Sequence, residues 1–174
     1  MIVFVDETGF SFQARPARTW APRRRPPVLR RKSQRRQIST IAALTISGRI
    51  YKRHYRTAIR GPQVVRMLRH LRACLRQPLI VIWDRASIHR SRVVEAYLAT
   101  DRGTVIEWLP PYAPEVNPEE YCHGNVKEQV RNATPTSVEQ MQQQVDRGFN
   151  RLRKRPDLLL SFFRHAGLGV KCLT

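Results

Sequence analysis

The sequence predicts an α/β fold in which a mixed, partly parallel sheet is flanked by helices. Residues 2–6 and 79–84 are almost entirely apolar, which is typical of strands buried on both faces. Residues 63–76 instead carry apolar side chains at helical spacing, with basic residues on the opposite face. Strands and helices alternate along most of the chain, and this order is typical of an α/β layer structure. With 174 residues, 41% of them apolar, the chain is expected to form one domain with a sizeable core.

The first part of the chain is predicted to form a strand followed by a long basic loop. The strand at residues 2–6 leads into GFSFQ, which we interpret as a returning strand. Residues at about 14–36 are rich in Pro and Arg, a composition that favours an extended loop over a helix or strand.

The next part is predicted to form a β-hairpin. Residues 38–46 and 49–58 are strand-like, and Ser47 and Gly48 between them predict a hairpin turn. The hairpin ends before the amphipathic helix at 63–76.

The remaining elements follow from apolar spacing and helix-capping residues. Ser91 is a predicted N-cap, and Glu139 is predicted to complete a capping box at the helix that starts at Thr136. The stretch PDLLLSFFRHAG predicts a last short helix. Between these lie further predicted elements: a strand at 79–84, a helix at 91–100, a strand at 104–109 and a helix at about 118–131.

The charge of the chain is strongly one-sided. Its formal net charge is +19, from 32 Lys and Arg against 13 Asp and Glu. Between Glu7 and Asp84 there are 19 Lys and Arg and no acidic residue. Such a chain repels itself unless it meets a polyanion, so nucleic acid is the expected partner.

The sequence also disfavours a membrane-spanning or secreted protein. No apolar run approaches the roughly 20 residues of a spanning helix, and no signal peptide is visible. Cys74, Cys122 and Cys172 are few and widely spaced, which predicts free thiols without a disulfide framework or zinc site. The expected location is therefore the cytoplasm.

Two acids stand at the ends of apolar strands. Asp6 closes the first strand and Asp84 closes the strand at 79–84, and open α/β sheets place their sites at that edge. If the strands are parallel neighbours, the two carboxylates repel each other unless a cation lies between them. Mg²⁺ suits such a site, and a third acid would allow two ions about 4 Å apart. The alternative is that each Asp is only a turn residue at a strand end.

The third acid is ambiguous from the residues alone. Asn117 and Pro118 predict a helix start, so Glu120 could merely close a capping box. Glu119 and Glu120 diverge by about 100° on a helix, so only one of them can face the site well. The residues do not choose between the two.

Three stretches together resemble the catalytic core of DDE transposases of the mariner superfamily. They are FVDETGF, WDRASIHRS and LPPYAPEVNPEEY, and the bacterial insertion-sequence branch is the most similar. The segment RTWAPRRRPP is similar to that branch's Trp-x-x-Arg segment. The resemblance covers about residues 2–130.

The resemblance implies a ribonuclease H-like fold and two-metal phosphodiester chemistry. Carried over by position, it implies that Asp6, Asp84 and Glu120 are the catalytic residues and the ligands of two Mg²⁺ ions, with Mn²⁺ as a substitute. Glu7 and Glu119 are then neighbours of the ligands.

The chain departs from that family at three places. Arg85 stands where relatives often carry a small polar residue such as Asn, and it would touch DNA or weaken metal binding. Tyr-Cys-His-Gly follows the third acid, where relatives often carry Trp. Relatives also have an N-terminal helix-turn-helix region, which we expect to be absent from residues 1–174 and to be encoded separately or fused.

Basic residues near the acids are expected to contact DNA. The run around Trp20 would clamp DNA or a partner protomer, consistent with a homodimer on DNA, or it is a solvated arm. His89 would orient the site or a phosphate, or it is a packed histidine. The expected DNA-contacting residues are Arg23, Arg24, Arg25, Arg85 and Lys127.

The sequence therefore predicts a transposase catalytic domain that cuts DNA and transfers strands at insertion-sequence ends, with Mg²⁺. It would act in the bacterial cytoplasm, associated with the nucleoid. Two alternatives stay open: an inactive or truncated remnant that only binds nucleic acid, and another ribonuclease H-like nuclease.

Overall fold

The strands of the molecule form one mixed sheet. The computed structural model describes residues 1–12, 18, 20–25, 27–28 and 36–170. The strands are β1 (Ile2–Ser11), β2 (Gln37–Thr45), β3 (Ile50–Tyr55), β4 (Leu79–Trp83) and β5 (Thr104–Trp108). Their order in the sheet is β3-β2-β1-β4-β5.

Helices cover both faces of this sheet, which confirms the predicted α/β class. The helices are α1 (Gly61–Leu75), α2 (Arg92–Thr100), α3 (Pro118–Val130), α4 (Val138–Arg153) and α5 (Pro156–His165). A short 3-10 turn, Pro114–Val116, precedes α3.

The central strand β1 is buried on both faces because its side chains alternate between two cores. Phe4 joins the core formed with α3, α4 and α5. Val3 and Val5 join the core formed with α1 and α2. The apolar run at residues 2–6 is thus explained by helices on both sides of the sheet.

The register of β1 and β4 sets the two Asp residues level with each other. The strands pair in parallel, and their last paired residues are Phe4 and Ile82. Asp6 and Asp84 each follow two residues later. The condition for neighbouring carboxylates, parallel strands side by side, is therefore met.

The prediction of a separate returning strand at GFSFQ is wrong. β1 continues through Gly9, Phe10 and Ser11, and it pairs antiparallel with β2 as far as Ser11 and Gln37. Phe10 and Phe12 are buried on the α3–α5 side, so the period-2 pattern of one strand simply continues.

Helix starts differ from prediction in detail. Ser91 does precede α2, but its hydroxyl donates to Ile88 O at 2.8 Å and does not cap the helix. The N-cap of α4 is Ser137 in place of Thr136, and its hydroxyl accepts from the Gln140 N–H.

The basic loop is described only in part. Trp20 and Arg23–Arg25 are exposed. Residues 14–17, 19, 26 and 29–35 of the predicted 14–36 loop, and Cys172, lie outside the described residues. No helix in the described ranges has the length and apolar character needed to cross a bilayer.

Candidate active site

Three carboxylates from three separate elements line one cavity. Asp6 lies in β1, Asp84 directly follows β4, and Glu120 lies in the first turn of α3. The cavity has a volume of about 460 Å³, and the loop 109–114 forms one wall. Arg85 and Arg90 also line it, so acidic and basic groups face the same space.

Asp6 is held on both carboxylate oxygens. The side chain is 12% exposed. Oδ1 accepts a hydrogen bond from the Glu7 N–H at 2.8 Å, and Oδ2 lies 3.2 Å from Nδ1 of His123. These contacts fix the carboxylate at the cavity wall.

Asp84 is exposed to the cavity and is oriented by His89. Asp84 Oδ1 accepts from the Ala86 N–H at 2.9 Å and lies 2.9 Å from His89 Nδ1. His89 Nε2 lies 3.1 Å from both carboxylate oxygens of Glu7. The buried imidazole thus links β1 to the loop after β4.

His89 is also packed, so both interpretations of this residue apply. Its ring stacks on Trp83 with centroids 4.3 Å apart and planes 2° apart. Burial lowers the pKa of His89, but the hydrogen bond and charge of Glu7 and the contacts with Asp84 raise it above its usual value on balance.

The start of α3 turns Glu120 towards the cavity and Glu119 into the core. Asn117 Oδ1 accepts from the Glu119 N–H at 3.1 Å and caps the helix. The Asn117 N–H, which a capping-box Glu120 would bind, donates instead to Pro114 O at 3.0 Å. Glu119 is 0% exposed, whereas Glu120 lines the cavity.

His123 lies beside the acids and was not predicted as a site residue, because Tyr-Cys-His-Gly was considered only as a departure from relatives that often carry Trp. It is fully buried, and Nε2 lies 3.5 Å from Glu119 Oε1. One potential ligand atom each of Asp6, Glu120 and His123 lie within 4.8 Å of one another. Helical spacing could have indicated that His123 lies near the two glutamates, since residue 123 is three positions after Glu120 and four after Glu119.

The pKa values of the two glutamates beside His123 are raised. Burial, followed by the charge of Asp6, raises the pKa of Glu119 well above its usual value. Burial and Asp6 also raise the pKa of Glu120, and His123 and Lys127 oppose this. Concentrated negative charge of this kind is what a cation relieves.

The predicted DNA-contacting residues occupy three regions. Arg85 lies in the cavity with the carboxylates, and Lys127 is exposed in the last turn of α3. Arg23–Arg25 are exposed on the basic loop. Arg90, which also lines the cavity, was not predicted as a site residue. The sequence feature that could have indicated it is its place in WDRASIHRS, six residues after Asp84.

A comparison with protein families identifies the family of this chain. A family model described as DDE superfamily endonuclease matches residues 1–142. No curated protein matches the chain in sequence.

Solved structures of transposases have a similar fold. The Mos1 mariner paired-end complex with Mn aligns with a TM-score of 0.70 at 18% identity, over 95% of this chain and 53% of that chain. The Mos1 catalytic domain aligns with a TM-score of 0.62 at 16% identity, over 98% and 84%. The predicted ribonuclease H-like fold is confirmed by these matches.

A viral integration complex is similar as well. The simian T-cell lymphotropic virus intasome aligns with a TM-score of 0.57 at 15% identity, over 88% of this chain and 47% of that chain. The chain spans a little over half the length of the Mos1 transposase in its DNA complexes, at 53–57%.

Proposed function

This chain belongs to the DDE superfamily endonucleases, and from that premise we propose that it is the catalytic domain of a mariner-like transposase of the bacterial insertion-sequence branch. It cuts DNA at the ends of the element and joins the released 3′-hydroxyl to target DNA. The observation that carries the proposal is the convergence of Asp6, Asp84 and Glu120 on one cavity that also contains Arg85 and Arg90.

The donor set fits divalent metal ions. Carboxylate oxygens are the ligands that Mg²⁺ prefers, and mutual repulsion among these acids is relieved by a cation. Asp6, Asp84 and Glu120 would hold two Mg²⁺ ions, or Mn²⁺ in their place. Such ions, when bound, supply activation of the attacking oxygen and stabilisation of the leaving oxygen.

Side chains of the protein position the DNA strand and also orient the carboxylates of the site. Arg85 and Arg90 neutralise a phosphate that enters the cavity, because both line the same wall as Asp84. The Glu7–His89 pair keeps the Asp84 carboxylate in one orientation.

Surface cations outside the cavity extend the DNA path. Lys127 follows Glu120 along α3, and Arg23–Arg25 add positive charge on the basic loop. We assign recognition of the element's ends to a helix-turn-helix region, fused or encoded separately, and the active form on DNA to a homodimer.

The test is metal-dependent nicking of supercoiled plasmid by the wild type, Asp84→Ala and Glu95→Ala. Glu95 is an exposed acid on α2, away from the cavity lining, and serves as the matched control. We expect nicking by the wild type and Glu95→Ala, and a loss on the order of 10²–10³-fold in Asp84→Ala. Equal cleavage by all three would exclude this site.

A binding-only remnant is the second candidate, favoured by Arg85 and Arg90, which offset the carboxylates without any cation. A wild type that binds DNA but does not nick it with Mg²⁺ or Mn²⁺ would establish that candidate. Strand-transfer assays with pre-cut ends separate a transposase from another ribonuclease H-like nuclease, since only the transposase joins 3′-hydroxyls to new DNA.

A further inference from the structure

We propose that His123 provides a nitrogen ligand to one of the metal ions, so that this chain has a mixed Asp6–Glu120–His123 metal site. The inference deepens the proposed function and rests on it for the presence of a divalent ion. It adds an imidazole to a set otherwise made only of carboxylates.

The spacing of the ligand atoms fits one ion. Nδ1 of His123 lies 3.2 Å from Oδ2 of Asp6. Two ligand atoms that bind one ion at about 2.1 Å and at a right angle are roughly 3.0 Å apart. Glu120 completes a group within 4.8 Å, so a small side-chain movement brings all three atoms onto one ion.

The far side of the imidazole has the partner that metal-binding histidines use. His123 Nε2 faces Glu119 Oε1 at 3.5 Å, and both residues are 0% exposed. Among the described residues, His123 Nε2 has no hydrogen-bond partner, and the buried Glu119 carboxyl group hydrogen-bonds otherwise only with the Cys122 thiol. A histidine that binds a metal usually donates its other N–H to a carboxylate, which fixes the ring and its tautomer.

Without an ion, the 3.2 Å contact is a hydrogen bond that Nδ1–H donates to Asp6 Oδ2; with an ion bound, the proton would move to Nε2 and the lone pair of Nδ1 would face the ion. With the proton on Nε2, facing Glu119, the free electron pair of Nδ1 faces a carboxylate oxygen, which is repulsive unless a cation lies between them. The edge-on contact of the His123 ring with Phe149, with centroids 6.2 Å apart, keeps the ring in this orientation.

Imidazole changes which ions bind best. Mg²⁺ prefers oxygen ligands, whereas first-row transition ions gain more from a nitrogen ligand. The site should therefore favour Mn²⁺ or Co²⁺ over Mg²⁺ more strongly than three carboxylates alone would.

The direct test is pulsed electron paramagnetic resonance of Mn²⁺ bound at less than one equivalent to the untagged chain. We expect a ¹⁴N coupling from a directly bound imidazole in the wild type. The coupling should persist in His89→Gln, which removes the other buried histidine near the acids, and disappear in His123→Gln.

A wild type that binds no Mn²⁺ or shows no ¹⁴N coupling, or a coupling that survives His123→Gln, would overturn the inference. The wild-type spectrum decides this even if the variant does not fold. Titration calorimetry should show Mn²⁺ affinity falling about tenfold or more in His123→Gln, and Mg²⁺ affinity falling less. A wild type with the coupling but without nicking keeps this inference and refutes the proposed function; nicking without the coupling does the reverse.

Discussion

At the scale of single residues, His54 is a half-buried titratable group on β3. Its Nδ1 lies 2.8 Å from Thr40 Oγ1, and its Nε2 lies 3.1 Å from Asp146 Oδ1. Lys52 contacts the same Asp146 carboxylate. Burial, with the charge of Lys52, lowers the pKa of His54 from 6.5 to about 4.

This depressed pKa predicts acid sensitivity that His54→Gln should reduce. The neutral ring is favoured in the folded protein, so its stabilising effect is complete above pH 6.5 and is lost as the pH falls towards 4. Melting temperatures measured between pH 7 and 4 should fall less steeply in His54→Gln than in the wild type. Substitution of the exposed His165 by Gln is the control and should keep the wild-type slope; equal slopes for His54→Gln and wild type would contradict the prediction.

Only some residues of the candidate site could be predicted from the sequence. Apolar runs indicated Asp6 and Asp84 as candidate site residues, because an acid after an apolar run is visible locally; the prediction that Asp6 closes its strand was wrong, since β1 continues to Ser11. The choice between Glu119 and Glu120 depends on the rotation of α3 about its axis, which packing against the sheet determines. His123 was missed because its partner Asp6 lies 117 residues away, and no local spacing shows that contact.

At the scale of elements, the close approach of α3 and α4 occurs at Gly148. A Cβ added there would lie 2.8 Å from Cγ1 of the buried Val126. Gly124, on the exposed side of α3, is the opposite case: among the described residues, no heavy atom lies within 4 Å of an added Cβ.

The two glycines predict opposite effects on stability. Gly148→Ala should lower the free energy of unfolding by about 1–3 kcal/mol, because the added methyl overpacks the helix contact. Gly124→Ala should raise it by up to about 1 kcal/mol, because Ala is the better helix former. Urea denaturation measures both, and a destabilised Gly124→Ala or a neutral Gly148→Ala would contradict this packing.

The cavity loop carries a strained aromatic residue, Tyr112. Its φ is 59°, a left-handed conformation that costs a non-glycine residue roughly 1–2 kcal/mol. The side chain is fully exposed at the cavity rim, so it contributes no burial to the fold. A ring held there is available to stack on an unpaired base.

Substitutions at Tyr112 should therefore separate strain from binding. Tyr112→Gly should stabilise the fold by about 1 kcal/mol, and Tyr112→Ala should not, because only glycine relieves the φ strain. Both should weaken binding of single-stranded DNA equally, by about 1–3 kcal/mol. Thermal denaturation and fluorescence anisotropy measure the two effects; unchanged DNA affinity in both variants would exclude the stacking role.

Element boundaries were predictable where one period persisted. The helical spacing in α1 and α4, and the hairpin of β2 and β3, gave those elements within a few residues of their bounds. β1 was predicted too short because the polar run from Asp6 to Thr8 interrupts its apolar pattern. Pairing with β2 holds that run in the strand, and pairing partners are not encoded locally.

At the scale of the whole molecule, the net charge of +19 predicts DNA binding that is steeply salt-dependent and nearly independent of sequence. Affinity for unrelated duplexes should fall on the order of 10³-fold between 50 and 200 mM salt. Replacing Arg23, Arg24 and Arg25 by Gln should reduce the slope of log K against log salt by about 3. Arg155→Gln, at an arginine paired with Asp157, is the control and should change the slope less; sharp preference for one short sequence at high salt would contradict the prediction.

The overall architecture was predictable as a class but not as an arrangement. Strands that are apolar on both faces require helices on both sides of the sheet, and this follows from composition. The strand order β3-β2-β1-β4-β5, which brings Asp6 beside Asp84, depends on long-range pairing of β1 with β4. Sequence reasoning could state that pairing only as a condition.

The separation of 117 residues between Asp6 and His123 has a consequence for synthesis of the protein. The arginine-rich region, from the basic loop through α1, is translated before Asp84 and α3. A nascent chain therefore gains affinity for polyanions well before its carboxylates can assemble. Under the proposed function, affinity for nucleic acid would therefore form before the site that cuts it, and newly made protein would be captured close to where it is translated.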